Sequence, residues 1–373
     1  MKLEAPALLA LHRELVATPS VSGDEAAIAD VVASFLEKHG AVVERVGGSV
    51  VAWKRKESVN GVVATEPLVV LNSHLDTVPP APGWVRDPWS PSVADSEGRI
   101  FGLGANDAKA SVAALVGAFL SVLEVDLPYS LALMLVRGEE TKSVGTAEVV
   151  AELARRGLSV TMAVVGEPTG LDLAVAQKGL VVLELVARGE AAHAAHARKL
   201  GAKNAIVALA RDLAAIAALP EGPSDPYLGR ATVEPTQISG GTARNVVPAE
   251  ARAVLDCRTI PVESATELVA RLRNAVESEV VVLSDRLVPV ATDARSPLVA
   301  AALRARPEAR TYGSATLSDM TFFRGIPALK VGPGESERSH RPNEFVSERE
   351  ILDGGDFYER LLHELAAGME AST

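Results

Sequence analysis

The sequence predicts an α/β protein of two domains, one split by the other, and three observations point to it. Val69 to Leu71, Leu131 to Val136 and Met162 to Val165 are continuous apolar runs of strand length, the composition of parallel strands buried on both faces. Helical patterns alternate with such runs as far as about Gln177, and from Leu180 the order changes to strand, helix, two strands, helix, strand. At 373 residues the chain also exceeds the size at which one core usually stops growing.

Each element has a local reason. Ser22-Gly23-Asp24-Glu25 has the form of a capping box, with Ser22 as N-cap and Glu25 at the third helical position. The helix it opens carries Ile28, Val31, Val32, Phe35 and Leu36 and stops at Gly40. Pro79 to Pro91, rich in proline, reads as a surface loop at the rim of the strand ends. Phe101-Gly102-Leu103-Gly104-Ala105-Asn106 turns the chain into an apolar helix from about Ala108 to Glu124. The second pattern comprises strand Leu180 to Val186, helix Asn204 to Leu219, strands Ala231 to Ile238 and Ala249 to Ile260, helix Ser264 to Ser278 and strand Val280 to Leu283. That β-α-β-β-α-β order is a ferredoxin-like sandwich. It assigns 179–286 to an inserted domain and 1–178 with 287–373 to the larger one, which resumes with helix Ser296 to Arg304, strand Ala328 to Val331 and a closing helix after Ser347.

Polar groups stand where the buried runs end: His74, Glu139-Glu140 and Glu167. In open α/β sheets the ligand crevice lies beyond the carboxyl ends of the strands, so three separate segments would deliver side chains to one place. Asp107 arrives there from the glycine-rich turn, and His340 from the last portion of the chain. Taken singly, each is more often a helix cap, a surface charge or a satisfied polar group than a ligand. Together they read as a two-metal hydrolase site. Adjacent carboxylates such as Glu139-Glu140 repel each other and are costly to desolvate unless a cation neutralises them. In His74-x-Asp76 the second carboxylate can hold the imidazole N–H and orient it. Nitrogen and oxygen donors without thiolate suit zinc or cobalt and leave manganese open.

The formal net charge of −11 argues against nucleic acid or anionic membrane surfaces as partners. The single cysteine, Cys257, cannot form an internal disulfide and reads as a small core residue. No long uncharged apolar run and no signal-peptide core appear, so the expectation is a cytoplasmic protein. His12, His39 and His363 lie in helical stretches without a motif and read as packing or surface residues.

The segments His74-Leu75-Asp76-Thr77-Val78-Pro79, Gly102 to Lys109, Glu139-Glu140, Gly166-Glu167-Pro168-Thr169 and Gly332-Pro333-Gly334-Glu335-Ser336-Glu337-Arg338-Ser339-His340 resemble, in this order, the M20-type co-catalytic zinc aminoacylase and peptidase superfamily. Within it the chain looks most like the acetylornithine deacetylase and succinyl-diaminopimelate desuccinylase group. The resemblance implies a mixed-sheet zinc-peptidase-like catalytic domain with an inserted lid and dimerisation domain, and two divalent ions, zinc first and cobalt second. It implies His74 and Glu167 on one ion, Glu140 and His340 on the other, Asp107 bridging through a cis peptide to Ala108, Asp76 orienting His74 and Glu139 as general base.

In the insert, Arg188-Gly189-Glu190-Ala191-Ala192-His193 resembles the family's lid motif. It makes His193 the oxyanion donor, with His196 the competing candidate, and reaching the metals of the neighbouring subunit in a homodimer. Asn245, Arg258 and Gly334 would contact substrate. The alternative is that Gly240-Gly241 is only a turn and that Arg258 pairs with Asp256 on a strand face. The implied substrate is a small N-acyl amino acid, N-acetylornithine first. Succinyl-diaminopimelate, N-acetylcitrulline, a carrier-linked lysine or ornithine and dipeptide or carboxypeptidase substrates are the alternatives. A scaffold member with a decayed site is the reading from a different class. Ala105-Asn106 stands where many relatives carry aspartate, serine or threonine before the bridging aspartate, a departure that bears on the substrate subtype.

Overall fold

The three apolar runs become the middle of one mixed sheet. In the structure, a computed structural model that describes residues 2–54, 67–91 and 94–371, the order is Val42–Val46, Ser49–Lys54, Ser130–Val136, Leu68–His74, Val160–Val165, Ala328–Lys330, Leu173–Gln177. Ser130–Val136, Leu68–His74, Val160–Val165 and Ala328–Lys330 run parallel, and the flanking strands are antiparallel. Leu68–His74 is buried at every position, which explains its unbroken apolar run. Parallel neighbours point their carboxyl ends the same way. The backbone fastens those ends together, with Leu75 N–H donating to the Val136 carbonyl and Gly166 N–H to that of Asn72, each at 2.7 Å.

The helix Lys109–Ser121 has no polar face, and it needs none. It packs against Ala5–Ala17 on one side and Glu348–Glu370 on another, and nearly all its side chains are buried. Glu348–Glu370 opens with a true capping box: Ser347 Oγ accepts from Glu350 N–H at 3.2 Å while the Glu350 carboxylate accepts from Ser347 N–H at 2.8 Å.

Ser22 and Glu25 do not cap a helix in this way, against the expectation from their spacing. The helix Ala26–Lys38 starts with Glu25 at its N-cap and no side-chain cap bond. Ser22 Oγ donates instead to the Asp76 carboxylate at 2.7 Å, and Glu25 Oε1 accepts from Gly23 N–H at 2.9 Å and Gly138 N–H at 3.1 Å. Buried charged or donor groups elsewhere outcompete the helix start for these side chains.

His12 is fully buried, and its Nε2–H donates to the Ala105 carbonyl at 2.8 Å. Burial holds its pKa down to about 4, the carbonyl bond opposing. Protonation would place a second N–H on Nδ1, which has no partner among the described residues. A histidine whose folded pKa lies below its unfolded value binds fewer protons when folded, so its contribution is complete above about pH 6.5 and is lost as pH falls towards 4. His12→Gln, which keeps the donor, is therefore expected to show a shallower loss of melting temperature between those pH values than wild type. Parallel melting curves would refute this.

Contacts divide the chain into two compact units, Met1–Val175 with Thr292–Tyr312 and Ser318–Thr373, and Ala176–Ala291 with Gly313–Leu317. The second contains a four-stranded antiparallel sheet in the order Thr232–Gly240, Glu250–Thr259, Gly179–Arg188, Glu279–Leu287, with helices Ala205–Ala217 and Ala265–Arg273. This is the ferredoxin-like order. Leu183, Leu185, Leu255 and Cys257 meet Leu209, Ile216, Leu268 and Leu272 in its core. Helix Ala265–Arg273 stops short of Ser278 because the buried Asp212 carboxylate accepts the backbone N–H groups of Glu277 and Ser278, at 3.0 and 2.9 Å. No helix among the described residues is long and apolar enough to cross a membrane.

Candidate active site

His74, the last residue of its strand, directs Nδ1–H to the main-chain carbonyl of Asp76 at 3.0 Å, which leaves Nε2 facing Asp107 Oδ1 at 3.2 Å. The sequence pointed to the Asp76 carboxylate as the partner of this N–H, and the structure places the Asp76 main-chain oxygen there instead. The Asp76 carboxylate lies 3.6 Å from Nδ1 and is engaged elsewhere, accepting Glu139 N–H at 3.0 Å and Glu140 N–H at 3.1 Å as well as Ser22 Oγ. With Glu25 on Gly138 N–H, three successive backbone donors of the turn after Ser130–Val136 are held by carboxylates. Glu139 and Glu140 are thereby presented from a fixed backbone.

Asp107 leaves a turn that only glycine permits at Gly104, where φ is +75° and a Cβ would stand 2.6 Å from Thr77 Cγ2. The Asp107–Ala108 peptide is cis. Asn106 ties this turn to the loop that carries His340, its Nδ2 donating to the Glu335 carbonyl at 3.0 Å and to Ser339 Oγ at 3.2 Å, its Oδ1 accepting Glu335 N–H at 3.0 Å. His340 then reaches Glu140 Oε1 at 2.9 Å and Asp107 Oδ2 at 3.8 Å.

The structure thus brings the five sequence-selected donors into two trios, His74, Asp107, Glu167 and Asp107, Glu140, His340, with the donor atoms of each trio within 4.8 Å of one another. The two histidines address different oxygens of the shared Asp107. A tetrahedral ion with bonds of about 2.0–2.2 Å sets its ligand atoms about 3.3–3.6 Å apart, so spacings of this order fit a pair of such ions.

The electrostatics agree with that fit. Burial pushes the Glu167 carboxyl up to about 8, with the Asp107 charge adding to it, and burial likewise raises Glu139 well above its usual range against the pull of His74. Burial disfavours the charged form of His74, but the Asp107 carboxylate on Nε2 and the nearby Asp76 carboxylate outweigh it and raise its pKa. His340 is pushed up to about 9 by its hydrogen bond to Glu140. Carboxylates that keep protons near neutrality are short of positive charge, and a divalent cation reverses that order.

His193 lies on the short strand Ala192–His193, paired with Val246–Val247, and its exposed ring stands 5.5 Å from that of His196. The Asn245 carbonyl accepts Ala194 N–H at 2.9 Å. Arg258 forms a two-pronged pair with Asp256, at 2.8 and 3.1 Å, the alternative the sequence left open. Gly334 is a close-approach position, with φ +84° and a Cβ position 2.1 Å from Asn106 Oδ1. On helix Ala205–Ala217, Leu209 and Ile216 are buried in their own unit, and Ile206 and Val207 face outward.

Sequence reasoning missed four buried charged residues around this site. Glu344 accepts three N–H groups of the Asp107 turn, and Lys109 donates to the Thr18 carbonyl at 3.1 Å. Lys330 lies beside Val165 in the sheet, where burial lowers its pKa against the Glu167, Glu139 and Asp107 charges. Asp319 accepts from Thr146 Oγ1 at 2.6 Å and is pushed up to about 6 by burial.

Residues 70–364 match the family model described as peptidase family M20/M25/M40. A protein of Aspergillus terreus named "probable carboxypeptidase" is 39% identical over 260 residues, 66% of this chain, which spans 58% of that protein's length. The succinyl-diaminopimelate desuccinylase of Bordetella pertussis is 32% identical over 288 residues, 74% of this chain and 73% of its own. A solved M20 metallo-carboxypeptidase from Sulfolobus solfataricus shares the fold with a TM-score of 0.74 at 20% identity, over 96% of this chain and 99% of that one. With its motifs in order on the strand ends and turns of that fold, the chain belongs to peptidase family M20/M25/M40.

Proposed function

We propose that this chain is a dinuclear metal-dependent amidohydrolase acting on an amide whose amine side is an amino acid with a free carboxylate. The observation that carries it is the shared carboxylate of Asp107, addressed on its two oxygens by His74 and His340. His74, Asp107 and Glu167 would hold one ion, Asp107, Glu140 and His340 the other. When bound, a pair of divalent ions, zinc by this donor set with cobalt as the alternative, brings a water towards neutral pKa and polarises the scissile carbonyl. Glu139, adjacent to the ligands and outside both trios, takes the water's proton and passes it to the leaving amine. With both ions in place their charge would keep the Glu139 carboxylate ionised and ready to accept that proton.

N-acetylornithine is the substrate we place first, for a cytoplasmic enzyme of amino-acid biosynthesis. Removal of a C-terminal residue from a short peptide is the second reading, favoured by the relatives named as carboxypeptidases. The inserted unit would pair two copies, supported by the outward Ile206 and Val207 and by Ile238 on the sheet's edge strand. The test is a panel of acetylated and succinylated amino acids and dipeptides, assayed with zinc or cobalt and again after chelation. At least one compound should turn over, and chelation should abolish it. Uptake of neither metal together with no turnover of any compound would favour the scaffold reading instead.

A further inference from the structure

Glu344 lies between the ligand His340 and the strand Phe345–Ser347, and it is 3% exposed. Its two carboxylate oxygens are filled by one turn: Oε1 accepts Asn106 N–H at 2.8 Å and Asp107 N–H at 2.9 Å, and Oε2 accepts Gly104 N–H at 3.1 Å. Its own carbonyl accepts Gly102 N–H at 3.0 Å. Four backbone donors between Gly102 and Asp107 therefore end on one residue, and these oxygens, so engaged, belong to neither donor trio.

We propose that Glu344 is a positioning residue that fixes the backbone from which Asp107 presents both oxygens. The proposal rests on the reading of Asp107 as the shared metal ligand. Its physical basis is that a turn pinned at three N–H groups leaves the next carboxylate little freedom, and a bridging ligand must meet two partners at once. Glutamine cannot replace it: whichever way the amide faces, its NH2 opposes at least one backbone N–H. Aspartate keeps the charge but is one methylene shorter, so it cannot span the same three donors.

The experiment titrates zinc and cobalt into metal-stripped wild type, Glu344→Gln, Glu344→Asp and Asp107→Asn, following heat release and the visible spectrum of the cobalt forms. Wild type is expected to take two equivalents. Glu344→Gln should bind at least one of them about 10–100-fold more weakly, with an altered cobalt spectrum and a fall in kcat at little change in KM. Glu344→Asp should fall between the two. If the Gln variant does not fold, the Asp variant decides. Variants that match wild type in affinity and spectrum overturn the proposal, and so does failure of both to fold, which would make Glu344 a residue of the fold. Wild-type affinity in Asp107→Asn refutes the ligand reading instead, and the two failures are distinct.

Discussion

Glu139→Gln is expected to keep its metal and lose kcat by about 10²–10⁴-fold, the usual worth of a positioned acid–base group. The amide preserves the shape of the side chain and leaves the main-chain bond from Glu139 N–H to Asp76 untouched. What it removes is the site that receives a proton. Metal analysis and steady-state kinetics on the same preparation check the result. Loss of metal together with activity would make Glu139 a ligand, and activity close to wild type would leave the base unassigned.

His193→Ala is expected to lower kcat by about 10²–10³-fold with unchanged metal content, because an oxyanion donor acts mainly in the transition state. If each histidine serves the other copy of a dimer, mixing inactive Glu139→Gln with inactive His193→Ala should restore part of the activity, since one site of the heterodimer then has both groups. Subunit exchange must be verified independently, for example by tagged co-purification. Exchange without recovered activity would show that His193 works within its own chain or not at all. A parallel His196→Ala variant should retain most turnover, and the reverse outcome would exchange the two assignments.

The strand ends were legible because the sequence signals there are local: a buried run stops, and a polar group follows. The same holds for the helix after Ser347, whose cap and third residue bond each other. The Ser22 and Glu25 pair has the same spacing and a different fate, decided by Asp76 and Gly138, which lie far away in the chain. Glu344 left no local signal at all. An acidic residue in a polar loop reads as a solvated charge, and its burial follows from the N–H groups of Gly104, Asn106 and Asp107, 237 to 240 residues earlier in the chain. Asp76 shows the third kind of limit: residue type and spacing selected it, but whether the carbonyl or the carboxylate meets His74 depends on the turn itself.

The tie between Asn106 and the loop before His340 constrains how this enzyme can change. Asn106 uses its donor and its acceptor on Glu335 and Ser339, and it sits where a side chain at position 334 would stand. An aspartate at 106 could not donate to the Glu335 carbonyl, so that exchange is favourable only after the facing loop has itself changed. Positions 106, 334 and 339 are thus mutually conditional in evolutionary terms, Glu335 contributing only its backbone, and the order in which substitutions arrive decides which are tolerated. Engineering of the loop around His340 faces the same sequence of doors: it has to begin with pairs of exchanges.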